Sequence, residues 1–264
     1  MQLGLDGKTA LVTGSTAGIG YAAALGLARE GASVVVNGRT AARVDEAVSK
    51  IKSETGSEKV SGVAADLGTV DGCGEAITQV PQVDILVNNM GIFEPKEFAD
   101  ITDADWLRFF ETNVLSGVRL SRHYFPLMKD RNWGRIVFVS SESAVNIPAE
   151  MIHYGMTKTA QLAVARGLAE LTVGTGVTVN SVLPGPTKSQ GVSTMLTQMA
   201  QAQGGDENAV EKEFFKTSRP SSLLHRFETP EEVAAMITFV CSEAASAVNG
   251  AALRVEGGVV RSVV

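Results

Sequence analysis

Along the chain, short runs of β-branched and apolar residues alternate with longer stretches whose apolar positions recur at helical spacing. Seven runs read as strands: Thr9–Thr13, Ser33–Asn37, Val60–Ala64, Val83–Asn88, Arg135–Ser140, Val177–Val182 and Ala251–Val255. Each is continuously apolar, the pattern of a strand covered on both faces. Helical patterns lie between them, most clearly at Tyr21–Arg29, Asp103–Met128 and Met151–Thr172. Strands that alternate with helices in this way form parallel sheets with right-handed crossovers. The expected fold class is α/β, a single doubly wound domain over residues 1–264 with a seven-stranded parallel sheet and helices on both faces.

One segment breaks the rhythm. Thr187 to Ser222 carries scattered Gly, Ser, Gln and Pro around two short helical patterns, as expected of a lid over a site. Within it Met195, Leu196 and Met199 share a helical face, and Phe214 and Phe215 add aromatic bulk. These five are expected to wall an apolar substrate space, with core packing as the competing use.

Composition narrows what such a domain serves. With 44% hydrophobic and 20% charged residues the chain is globular. A formal charge of −6 and scattered Lys and Arg give no footprint for nucleic acid. His123, His153 and His225 are dispersed without metal-ligand spacing, so no metal is expected. Cys73 and Cys241 form no CxxC pair, which suits a reducing compartment. The sequence shows no secretion signal and no apolar run long enough for a membrane span, and a cytoplasmic location is expected.

The first strand runs into Thr13-Gly14-Ser15-Thr16-Ala17-Gly18-Ile19-Gly20 and then an apolar helix. In such a turn Gly14 takes backbone angles that a Cβ forbids, Gly18 admits a pyrophosphate and Gly20 lets the helix approach the sheet. The free N–H groups of the helix start then face the phosphates. At the end of the second strand, where NAD-selective sites place a carboxylate for the adenosine ribose, this chain has Gly38 followed by Arg39. A planar, permanent cation suits a 2′-phosphate, so NADP(H) is the expected cofactor. The alternative use of Arg39 is a solvated cation at a helix start.

Tyr154 and Lys158 stand four residues apart, on one face of a helix. Bringing a phenol from its ordinary ~10 to ~7 takes about 4 kcal/mol of differential stabilisation, which a fixed cation supplies. Together these motifs resemble the short-chain dehydrogenases/reductases over nearly the whole chain, with 3-oxoacyl-acyl-carrier-protein reductases as the most similar group. The glycine turn is similar to the family's TGxxxGIG loop, and Asn88-Asn89-Met90-Gly91 to its NNAG motif. Asn113, Ser141, Tyr154 and Lys158 fall where the family keeps an Asn-Ser-Tyr-Lys tetrad. The serine is placed by its distance ahead of the tyrosine, with Ser140 as the fallback. Leu183-Pro184-Gly185-Pro186-Thr187 resembles the segment that holds the nicotinamide amide, and Asp66-Leu67 the pair that contacts the adenine.

The resemblance implies a Rossmann-fold oxidoreductase working on a carbonyl or alcohol. Tyr154 would protonate the carbonyl oxygen, and Lys158 would lower its pKa and bond the nicotinamide ribose. Ser141 would orient the substrate, and Asn113 would hold a water linking Lys158 to solvent. Gly14, Ser15, Thr16, Gly18, Ile19, Gly20, Arg39, Asp66, Leu67, Asn89, Gly91, Pro184, Gly185 and Thr187 would contact the cofactor. Met90 and Glu256 depart from the family's usual alanine and aspartate. On helix Met151–Thr172 a small-residue face of Ala160, Ala163, Val164, Gly167, Leu168 and Leu171 would pack against a second copy in a homotetramer, or else into the chain's own core. A sugar or polyol dehydrogenase using NAD is the alternative enzyme, and a silent nucleotide-binding scaffold the alternative of another class.

Overall fold

All seven apolar runs are strands: β1 (Thr9–Val12), β2 (Ser33–Gly38), β3 (Val60–Ala64), β4 (Ile85–Asn88), β5 (Gly134–Val139), β6 (Val177–Pro184) and β7 (Ala252–Val255). The computed structural model describes residues 2–203 and 206–263; the side chains of Met195 and Met199, two of the expected lid residues, lie outside what is described. Every strand pairs in parallel, in the order 3-2-1-4-5-6-7. The winding therefore reverses between β1 and β4, where a doubly wound sheet opens a crevice at its carboxyl edge. The sixth strand runs past its expected end, pairing Pro184 with Val255 and carrying the chain to that edge.

Successive strand residues point to opposite faces. Ala10, Val12, Val34, Val36, Ile85 and Val87 meet α1 (Gly18–Arg29), α2 (Ala41–Thr55) and α9 (Pro230–Val240). Leu11, Val35, Leu86, Ile136 and Phe138 meet α3 (Val70–Gln79), α5 (Ser116–Asp130) and α6 (Ile152–Glu170). In the interior of the sheet both faces are covered, which is why β1, β2, β4 and β5 read as nearly unbroken apolar runs, while the edge strands β3 and β7 leave residues exposed or half-buried. Among the described residues no helix is long and apolar enough to cross a membrane.

Three sequence expectations change here. The helix read across Asp103–Met128 is two helices, α4 (Asp103–Phe110) and α5, joined by a π-turn over Glu111–Leu115. The small-residue face of α6 is divided, with Val164 and Leu168 packing against the chain's second core layer while the rest of the face turns outward. Ala163, Gly167 and Leu171 are exposed, a Cβ on Gly167 would meet nothing, and the core takes Gln161, Ala165 and Ala169 from the other side of the helix. The two short helices, α7 (Gln190–Gln203) and α8 (Glu207–Thr217), form a core of their own. Leu196 and Phe215 are each 1% exposed and pack with Ala200, Val210 and Phe227, with Phe214 against them. The three phenylalanine rings lie 5.0–5.1 Å apart. Leu196, Phe214 and Phe215 therefore do not form the expected substrate wall: a two-helix excursion from a sheet must bury its own apolar face, and these residues do so.

Candidate active site

The turn after β1 is held open by glycine geometry. Gly14 and Gly18 have φ of +59° and +58°, and a Cβ on Gly20 would lie 2.4 Å from Asn89 Nδ2 and 2.6 Å from the Gly14 carbonyl. No side chain caps the start of α1 and its first turn holds no carboxylate, whereas α3, α4, α8 and α9 each receive a Thr or Asp cap. The uncapped first turn, carrying Gly18, Ile19 and Gly20, leaves backbone N–H donors for an anion. Two neighbours brace the turn. Asn37 Oδ1 accepts from Gly14 N at 3.0 Å, and Asn89 Nδ2 donates to the carbonyls of Thr13 and Gly14 at 2.9 and 3.1 Å.

Ser15 corrects its expected role. Its hydroxyl donates to Val12 O at 2.6 Å and accepts from Asn37 N at 2.9 Å, and the residue is fully buried, so it supports the turn from inside. Thr16 stays half-buried at the rim. It explains the missing carboxylate at the end of β2, because a Cβ on Gly38 would come within 2.5 Å of Thr16 Cγ2. Arg39, next along, is exposed. Asp66 is exposed and Leu67 buried on the next strand end. Met90 packs toward Gly68 and the second core layer, which places its bulk at the edge of the turn.

At the carboxyl end of β5 the chain offers two serines. Ser140 donates to the Lys158 carbonyl at 2.8 Å and is spent on α6. The hydroxyl of Ser141 instead lies at the Tyr154 phenol and favours its ionisation. Burial outweighs that bond and pushes the phenol up to about 12. Lys158 lies on the same face of α6, its Nζ 5.6 Å from the centre of the Tyr154 ring, and burial pulls its ammonium down to about 8. Asn113 sits in the π-turn with every polar side-chain atom engaged. Its Oδ1 accepts from Ile92 N at 2.8 Å, and its Nδ2 donates to Ile92 O and Thr157 Oγ1, both at 3.0 Å. That clamp fixes the loop after β4, where Gly91 comes so close that a Cβ there would lie 3.3 Å from Lys158 Nζ. Pro184, Gly185 and Thr187 follow β6 to the same edge, with Thr187 Oγ1 donating to the Gly185 carbonyl at 2.9 Å.

Glycine turn, buried lysine and tyrosine thus share one edge of the sheet, and the family model for short chain dehydrogenases matches residues 8–200. The chain belongs to the short-chain dehydrogenase family. It is 50% identical to the uncharacterised oxidoreductase YvaG of Bacillus subtilis (strain 168), over 100% of both chains. It is 31% identical to the 3-oxoacyl-[acyl-carrier-protein] reductase FabG of Aquifex aeolicus (strain VF5), over 98% of this chain and 99% of the relative. Among solved structures, L-sorbose reductase from Gluconobacter frateurii, complexed with NADPH and L-sorbose, superposes with a TM-score of 0.94 at 31% identity, covering 100% of each chain.

Several residues of this short-chain dehydrogenase site gave no signal in the sequence reading. Glu142, 3% exposed, pairs with Arg219, whose Nε donates to its Oε1 at 2.9 Å, while Oε2 has no hydrogen-bond partner among the described residues. Both charges act on the titration of Tyr154. Phe93 stands edge-on to the Tyr154 ring at 6.4 Å and is 54% exposed. Glu228 accepts from Gly185 N at 3.3 Å, and burial pushes its carboxyl up to about 7. Gln161 bridges Lys158 and Asn113, with its Nε2 on the Asn113 main-chain carbonyl. Arg219, Phe93, Gly185 and the Asn113 carbonyl each lie many residues from the group they meet, out of reach of any short motif; the Gln161–Lys158 spacing of three was within reach and went unread.

Proposed function

We propose that this chain is an NADP(H)-dependent oxidoreductase that interconverts a carbonyl and a secondary alcohol, in the manner of the 3-oxoacyl-acyl-carrier-protein reductases it resembles. One observation carries the reading: Tyr154 has the Ser141 hydroxyl at its phenol and the Lys158 ammonium beside its ring, joined through Gly91 and Asn89 to an uncapped glycine turn. The turn fits a dinucleotide because Gly14 and Gly18 hold a cradle in angles closed to other residues. Arg39 then supplies a fork for a 2′-phosphate. Asp66 and Leu67 meet the adenine, while Pro184, Gly185 and Thr187 meet the nicotinamide amide.

When bound, the nicotinamide supplies or takes up the hydride. In reduction the Tyr154 hydroxyl gives its proton to the substrate oxygen, and in oxidation it takes the proton back. Burial keeps the phenol protonated at neutral pH, so the resting state is the proton donor. Lys158 spends two of its three N–H donors on the Val139 carbonyl and Gln161 Oε1, leaving one for the ribose. Ser141 orients the substrate oxygen. Residues 187–222 cover the substrate side, and the exposed face of α6 joins copies into a homotetramer, in the cytoplasm.

A second reading has its own support. The buried Glu142–Arg219 pair beside Ser141 places a carboxylate and a guanidinium where a hydroxyl-rich substrate such as a ketose would find partners, and the superposed reductase binds L-sorbose. A panel of 3-oxoacyl thioesters, simple ketones and L-sorbose, followed by NADPH absorbance, separates the two. At least one class is expected to turn over, with Tyr154→Phe lowering kcat about 10²- to 10⁴-fold while NADPH affinity stays. Tight NADPH binding with no consumption across the panel would make the chain a nucleotide-binding scaffold.

A further inference from the structure

Gln161 sits one helical turn beyond Lys158 on α6 and is 1% exposed. Its Oε1 accepts from Lys158 Nζ at 3.3 Å, and its Nε2 donates to the Asn113 carbonyl at 2.5 Å. The carbonyl belongs to the π-turn between α4 and α5, so the carboxamide spans two elements separated by 48 residues in sequence. Rotating it would break both bonds in a place where water cannot replace them. Around the ammonium stand the Val139 carbonyl of β5 at 3.0 Å, Gly91 of the loop after β4 and the Tyr154 ring on its own helix. No charged group adds to the effect of burial on its titration. Among the described residues, Gln161 supplies its one side-chain acceptor.

We propose that Gln161 is a positioning residue for Lys158: its carboxamide straps the ammonium to the Asn113 carbonyl and fixes the direction of the lysine's remaining N–H. The inference rests on the reading of Tyr154 and Lys158 as the reacting pair. It also alters the expected relay, because the Asn113 carbonyl meets an amide, whose donor and acceptor sit on different atoms and do not exchange protons near neutrality.

Competitive labelling of the full chain with acetic anhydride, read lysine by lysine by mass spectrometry across pH, tests the strap without needing the substrate. Losing the acceptor destabilises the ammonium, so Gln161→Leu is expected to lower the Lys158 midpoint by about one unit. A carboxylate in its place stabilises the ammonium, so Gln161→Glu is expected to raise the midpoint by about one unit. The other lysines act as internal controls for folding. A residue that only fills space would leave the Gln161→Leu midpoint at the wild-type value, and that result, or a Gln161→Glu midpoint that fails to rise, overturns the proposal. Should Gln161→Leu not fold, Gln161→Met, which keeps the length of the side chain and offers only a weak sulfur acceptor, is expected to show the same lowering and decides in its place. The parent reading fails on a separate observation, turnover retained by Tyr154→Phe.

Discussion

At the turn between β1 and α1, Asn37 and Asn89 reach in from neighbouring strand ends to hold Gly14, and Asn37 is itself anchored to the carbonyls of Val63 and Ala65. Across the cleft, α7 and α8 are held by Leu196, Val210, Phe215 and Phe227, a cluster separate from both layers of the main core. The glycine turn is thus an outgrowth of the sheet, while α7 and α8 form a small unit attached to its edge. A site built this way keeps one half constant and lets the other change without disturbing it, because the two halves draw on different apolar clusters.

The sharpest way to break this comparison is to remove a ring from the smaller core. Phe215→Ala deletes a buried aromatic, a change worth about 3–5 kcal/mol. Hydrogen exchange is expected to rise across residues 190–217 while β1 and α1 keep their protection and NADPH binds as before. Cooperative unfolding of the whole chain, with loss of NADPH affinity, would show that the two regions are one unit.

The neck between them carries Glu228, whose main chain bonds Pro186 and Lys188. Its carboxyl is raised from about 4.5 to about 7 by burial. Below the lower value both folded and unfolded chains hold the proton. Between the two the unfolded chain releases it first, so stability falls as pH rises through this window and levels off above it. Glu228→Gln is expected to flatten that slope and, with solvent screening reducing the full effect, to stabilise the protein by about 1–2 kcal/mol at pH 8, read by denaturant unfolding at several pH values. An unchanged slope would mean that the carboxylate at the neck is solvated.

On the nucleotide side alone, Arg39→Ala is expected to lower the ratio of kcat/KM for NADPH over NADH about ten- to a hundred-fold, the effect of a contact of ~1.5–3 kcal/mol. A wild type that favours NADH, or a mutant that keeps its preference, removes Arg39 from cofactor choice. The smallest effect on folding is expected from Gly167→Trp, since a Cβ there meets nothing within the chain. Stability should change by less than about 0.5 kcal/mol, while light scattering should show a smaller assembly. An unaltered mass would mean that this face joins no second copy.

What could be read in advance follows from where the information lies. Strands buried on both faces write themselves as apolar runs, and the glycine turn is local, so both were legible. Tyr154 and Lys158 share a helix and carry their spacing on the surface of the sequence. The break at Asn113 showed only as a polar residue in mid-helix, readable as a hydrogen-bonded kink, because what holds it, Ile92 and Gln161, lies 21 and 48 residues away. The aromatic residues of 187–222 were visible but not their direction: Phe227, outside the segment, draws Phe214 and Phe215 inward. Ser15 misled for a related reason, since its position in the motif says nothing of the side to which its hydroxyl turns.

The contact between Gly38 and Thr16 also constrains how this lineage can drift. An aspartate introduced at position 38 first would drive its Cβ to 2.5 Å from Thr16 Cγ2 and 3.2 Å from Val44 Cγ2, an overlap that core substitutions tolerate poorly. Trading Thr16 for serine beforehand deletes that methyl and leaves the hydroxyl in place. The order of the two changes therefore matters: beginning at Thr16 leaves only the 3.2 Å approach to Val44 Cγ2 for the new side chain, whereas beginning at Gly38 meets both contacts at once. What can stand at position 38 is set by a neighbour's methyl group as much as by the backbone of the glycine itself.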